Sequence, residues 1–144
     1  TVNLPGGRAN RLTLPNDIVI LDETYNAGVE SMRAALHLLK ETPGKRRLAV
    51  LGTMKELGEY SVALHQQIGE LVKSLQLDSL FILADPAEAA ALSRGATPVP
   101  VEQFANHAEL ETRLKDVMRP GDRILFKASR TVALDKIVAK FTKA

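Results

Sequence analysis

Three short polar stretches carry groups suited to binding: Asp22-Glu23-Thr24-Tyr25-Asn26-Ala27-Gly28, Gly52-Thr53-Met54-Lys55-Glu56-Leu57-Gly58-Glu59 and Lys127-Ala128-Ser129-Arg130. The first offers two carboxylates, a phenol and an amide, more polar groups than a strand-to-helix turn needs. Its plain reading is Asn26 as a helix cap among solvated charges. In the second, two glycines let backbone approach a ligand, and Glu56 can receive an ammonium group. The third sets Lys127, Ser129 and Arg130 at the start of a helical pattern, where free N–H groups also attract anions, so it suits a carboxylate or a phosphate. Ser129 as a cap beside two solvated cations is the plain alternative. Lys127 is expected to be an exposed loop charge, so that Lys127→Ala costs activity and little stability. His65, near the start of a helical pattern, reads as a surface or capping residue rather than a catalyst.

Each of these stretches follows a strand-like run: Ile18-Val19-Ile20-Leu21, Leu48-Ala49-Val50-Leu51 and Arg123-Ile124-Leu125-Phe126. Continuous apolar runs suit strands covered on both faces. Leu80-Phe81-Ile82-Leu83 is a further strand, and Thr97-Pro98-Val99-Pro100-Val101, interrupted by proline, reads as an edge strand. Arg11-Leu12-Thr13-Leu14 alternates and Pro15-Asn16-Asp17 turns back, which makes a hairpin with an antiparallel first strand. Between the strands lie helical spacings. One has Val29, Met32, Leu36 and Leu39; another has Leu64, Ile68, Leu71, Val72 and Leu75, with Ser61 as its candidate cap. Asp85-Pro86-Ala87-Glu88 and Asn106-His107-Ala108-Glu109 carry the capping pattern of two more helices. Leu134, Ile137, Val138 and Phe141 mark a closing one. The alternation predicts an α/β fold of three αβα layers: a doubly wound, Rossmann-like sheet with five parallel strands and one antiparallel strand. In such a sheet all three polar stretches leave one edge, where ligands collect.

The chain has 144 residues, enough for one domain, with 45% apolar and 25% charged residues. Its 19 basic and 17 acidic side chains are interspersed and aromatics are 4%, which argues against a nucleic-acid surface. No cysteine is present, so disulfides are excluded, and this suits a reducing cytoplasm. No apolar stretch approaches the roughly 18 residues of a membrane span. His37, His65 and His107 lack paired-ligand spacing, so a zinc site is not expected. A phosphate loop, a Gly-x-Gly-x-x-Gly turn and a Gly-x-Ser-x-Gly elbow are all missing from the sequence.

The first stretch, continued to Ser31-Met32, resembles the motif that opens the C-terminal domain of the Mur ligases that add D-alanyl-D-alanine: Asp-Asp-Ser/Thr-Tyr-Asn-Ala-Asn-Pro-x-Ser-Met. Here Glu23, Gly28 and Val29 depart from it. The second resembles Gly-Asp-Met-x-Glu-Leu-Gly followed by His, with Thr53 for the acid and His65 for the His. The third resembles Lys-Gly-Ser-Arg, with Ala128 for the glycine. The resemblance covers essentially the whole chain. It implies residues 1–10 as a linker from a central ATPase domain and 11–144 as the Mur ligase C-terminal domain. It further implies an ATP-dependent ligase of peptidoglycan synthesis that joins D-alanyl-D-alanine to UDP-N-acetylmuramoyl-tripeptide, with ATP and Mg2+ held mainly by the central domain. Asp22, Glu23, Tyr25 and Asn26 would then face ATP, and Glu56, Lys127, Ser129 and Arg130 the substrate, with no catalytic residue and no metal ligand in this piece. A cytoplasmic monomer that closes on its central and N-terminal domains is implied too. The alternatives are another Mur-type amide ligase, or a non-catalytic binding module of flavodoxin-like shape.

Overall fold

The computed structural model describes residues 10–23 and 28–127. Residues 1–9, 24–27 and 128–144 lie outside it, and with them the linker, Tyr25, Asn26, Ser129, Arg130 and the closing helix expected from the sequence. The sheet has six strands: β1 (Asn10–Leu14), β2 (Ile18–Asp22), β3 (Arg46–Gly52), β4 (Ser79–Leu83), β5 (Val101–Gln103) and β6 (Asp122–Lys127). Four helices join them: α1 (Val29–Glu41), α2 (Ser61–Ser74), α3 (Pro86–Ala96) and α4 (His107–Val117).

The strand order is β1-β2-β6-β3-β4-β5, with β1 antiparallel and every other pairing parallel. β6 therefore lies between β2 and β3, which explains why all six of its side chains are buried. β5 is the edge strand that the prolines imply, but it starts at Val101. Pro98 and Pro100 have no N–H to give a ladder, so they precede the strand rather than form it.

Alternate strand residues feed two cores. Val19, Leu21, Ala49, Leu51, Leu80, Ile82 and Leu125 face α1, α2 and α3, while Ile20, Leu48, Val50, Phe81, Ile124 and Phe126 face α4. α2 and α3 cross at paired glycines. A Cβ on Gly69 would run into the Leu92 carbonyl, and one on Gly95 into the Gln66 carbonyl. Backbone cannot give way as a flexible side chain can, so only glycine lets these helices approach so closely.

The amino edge of the sheet is stitched by charge. Arg46 donates to both carboxylate oxygens of the buried Asp122 at 2.8 and 2.7 Å and to the Val117 carbonyl at 2.7 Å. This planar, two-point contact raises the Arg46 pKa, the hydrogen bond outweighing desolvation. Arg123 donates to the carbonyls of Pro43 at 2.6 Å and Asp17 at 2.9 Å. The opposite, carboxyl edge carries Asp22, Glu23, Lys127 and the loop that begins at Gly52.

Two expected caps take other partners. Ser61 follows a short 3-10 turn, Gly58–Tyr60, and makes no capping bond; its hydroxyl donates to Glu88 at 2.7 Å instead. Asp85 and Pro86 do open α3, but the Asp85 side chain does not cap it, and Glu88 faces Ser61 rather than closing a capping box. The Ser61 hydroxyl bond is the main reason the Glu88 pKa is lowered. At α4 the local pattern holds, with Asn106 Oδ1 accepting from the Glu109 N–H at 2.9 Å.

Candidate functional site

The site grows from the carboxyl ends of three adjacent strands. Asp22 of β2 is in register with Phe126 of β6, and Leu51 of β3 with Lys127. Since β6 is the middle strand, Lys127 lies between the ends of β2 and β3. The Glu23 N–H adds one more ladder bond, to the Phe126 carbonyl at 2.8 Å, before the chain leaves the sheet. Asp22 is half-buried at the rim.

Lys127 is not the exposed loop charge expected. It is the last residue of β6 and is 0% exposed, and its Nζ donates to Glu23 Oε1 at 3.2 Å. Glu23 is buried as well. Burial pushes the Lys127 pKa below its ordinary 10.5, and the attraction of Glu23 opposes that shift only in part. The pair ties the end of β6 to the end of β2. The sequence gives no hint that β6 is central, so a lysine after an apolar run reads as the first loop residue.

The stretch after β3 is held from several sides. The Met54 side chain is buried in the core on the α1–α3 face. Thr53 Oγ1 accepts from the Asp85 N–H at 2.8 Å, linking this loop to the turn before α3. A carboxylate could accept the same bond, so threonine can stand in for the acid of the motif that this stretch resembles. His65, read from sequence as a surface or capping residue, is 0% exposed; its Nε2 accepts from the Met54 N–H at 2.9 Å. The signal for its burial was its spacing from Ile68 and Val72, on the inner face of α2. Beyond this frame Lys55 and Glu56 are exposed, and Glu56 has φ 60°, in the left-handed region. Gly58 also has positive φ, 58°, with open space where a Cβ would be, so it is the backbone angle that favours glycine there.

Of the candidate residues, then, the fold brings Asp22, Glu23 and Lys127 together and presents Glu56 on the loop beside them. Among the described residues no three His, Cys, Asp or Glu side chains converge on a metal-sized site. None of their helices is long and apolar enough to cross a membrane.

A six-stranded α/β sheet, parallel but for β1, with β2, β6 and β3 as neighbours, is of the doubly wound type, a class in which ligands collect at the carboxyl ends of the strands. Residues 7–130 match the model of the Mur ligase, glutamate ligase domain, and the chain belongs to the Mur ligase family. It is 52% identical over 140 residues to the UDP-N-acetylmuramoyl-tripeptide–D-alanyl-D-alanine ligase of Synechocystis sp., covering 97% of this chain and 31% of that protein. The Escherichia coli ligase of the same name is 37% identical, with 92% of this chain and 28% of that protein covered. Among solved structures, MurF of Acinetobacter baumannii superposes with a TM-score of 0.79 at 28% identity, over 100% of this chain and 31% of that one. MurF of Thermotoga maritima, in complex with ADP, gives 0.76 at 28% identity, over 99% of this chain and 32% of that one. The chain thus spans about a third of the length of the relatives it matches.

Proposed function

We propose that this chain is the C-terminal domain, residues 11–144, of an ATP-dependent ligase that joins D-alanyl-D-alanine to UDP-N-acetylmuramoyl-tripeptide. The observation that supports the reading is the adjacency of β2, β6 and β3, the strands that the three motif stretches follow in sequence, together with relatives that bear that activity in their names. In the overall reaction the tripeptide carboxylate accepts a phosphoryl group from ATP, ADP leaves, and the dipeptide amine then displaces phosphate as the amide forms.

The domain's own part is positioning. Asp22, at the rim, is a carboxylate acceptor fit for ribose hydroxyls, and Tyr25 and Asn26 complete the nucleotide side. Glu23 and Lys127 join that side to the substrate side, where Ser129 and Arg130 face a carboxylate or the transferring phosphoryl group. Glu56 receives the incoming ammonium. Magnesium and the phosphate loop fall to the central domain, on which this one closes to complete the site. Residues 1–10 are the linker between the two. We further propose a monomer working in the cytoplasm, the compartment that suits ATP and a UDP-linked substrate.

Two assays test this. The 144-residue chain by itself is expected to release no ADP from ATP. The ligase carrying it should release ADP when the tripeptide nucleotide and D-alanyl-D-alanine are both present, and not when a diamino acid replaces the dipeptide. Turnover by the 144-residue chain, or a preference for the diamino acid, would end the reading.

A further inference from the structure

His65 is a fully buried imidazole with both ring nitrogens engaged by backbone. Nδ1 donates to the Ser61 carbonyl at 2.7 Å, and Nε2 accepts from the Met54 N–H at 2.9 Å. A carbonyl can only accept and an amide N–H can only donate, so the ring is the Nδ1–H tautomer. One bond stays inside the first turn of α2; the other reaches the loop after β3. The ring therefore fastens that loop to the helix. Its neighbour Thr53 is held by the Asp85 N–H, and the Met54 side chain is anchored in the core. Two residues later Glu56 stands exposed with φ 60°, a conformation that a residue with a Cβ keeps only where its surroundings over-determine it.

We propose that His65 is a positioning residue for the ammonium subsite: by holding the Met54 amide it fixes the turn that presents Glu56 to the incoming amine. The inference rests on the reading of Glu56 given above. It assigns the work to Nε2, the nitrogen that touches the loop, and not to the ring's bulk or to Nδ1.

Three variants of the ligase carrying this chain separate these possibilities. His65→Gln carries a carboxamide oxygen to the place of Nε2. His65→Asn can keep the bond to Ser61 but cannot reach Met54, and His65→Leu keeps volume alone. His65→Leu and His65→Asn should raise KM for D-alanyl-D-alanine roughly ten- to hundredfold, the scale of a misplacement of about 1 Å. KM for ATP should stay near wild type, and His65→Gln should recover most of the loss. Hydrogen exchange at the Met54 amide should quicken in His65→Leu and His65→Asn and not in His65→Gln. Should His65→Leu fail to fold, the Gln and Asn pair carries the comparison. Faster Met54 exchange with unchanged dipeptide KM would overturn the proposal, as would an equal loss in all three variants spread over kcat and both KM values. Glu56→Gln run alongside distinguishes the two levels. If it raises the dipeptide KM while His65→Leu does not, the His65 inference fails alone. If it leaves that KM unchanged, the ammonium subsite itself is wrong and the inference falls with it.

Discussion

Lys127→Met should destabilise the chain by about 3–5 kcal/mol, the usual cost of removing one partner from a buried ion pair. The reason is the solvent-excluded contact between Lys127 Nζ and Glu23 Oε1 at 3.2 Å. Without the ammonium, the Glu23 carboxylate keeps its desolvation cost and loses this attraction. Glu23→Leu combined with Lys127→Met should recover most of the loss, because buried pairs and well-packed apolar groups are often nearly equivalent in stability. The pH dependence follows from the lowered Lys127 pKa. In the unfolded chain the lysine returns to its ordinary range and holds its proton more tightly than in the fold. The cost of the buried cation is therefore full below the folded pKa and is relieved as pH rises through it toward 10.5. The stability gap between wild type and Lys127→Met should widen over that alkaline window. Urea unfolding of wild type, both single variants and the double variant checks all of this. A Lys127→Met protein within about 0.5 kcal/mol of wild type would restore the picture of an exposed charge.

Glu56→Gln should raise KM for D-alanyl-D-alanine by roughly ten- to hundredfold, from about 1.5–3 kcal/mol for a charged hydrogen bond at about 1.4 kcal/mol per decade. The substitution keeps the shape of the side chain and removes only its charge. Because Glu56 is exposed, the melting temperature should stay put. A loss confined to the dipeptide's KM places the contact in the ground state; a loss in kcat places it where the amine attacks. Steady-state kinetics with each substrate varied in turn decide between these, and a dipeptide KM at the wild-type value would remove Glu56 from the site.

The fold was legible because its signals are local. Four-residue apolar runs separated by helical spacings can hardly form anything but a parallel sheet, and the hairpin at Pro15-Asn16-Asp17 reverses only β1. What stayed hidden depends on which elements become neighbours. Ser61 and Glu88 stand where caps belong, yet 27 residues apart in sequence they bond to each other at 2.7 Å, because α2 and α3 meet at Gly69 and Gly95. The apolar stripe expected for α2, Leu64, Ile68, Leu71, Val72 and Leu75, does face the core, with Ile68 and Val72 buried and the three leucines partly buried against it. The stripe did not include His65 and Gly69, which are buried as well, Gly69 by the approach of α3. Lys127 is buried because β6 is inserted between β2 and β3, an order that no local pattern encodes.

The proposal that this chain equips a ligase for D-alanyl-D-alanine is tested most directly by grafting. Replace the matching C-terminal 31% of the Synechocystis relative with this chain and assay the hybrid for amide formation between the tripeptide nucleotide and the dipeptide. The hybrid should ligate D-alanyl-D-alanine, and Glu56→Gln within the graft should weaken its use of the dipeptide while leaving ATP binding alone. A hybrid that folds and binds ATP but ligates no dipeptide, or accepts another amine in its place, would contradict the assignment.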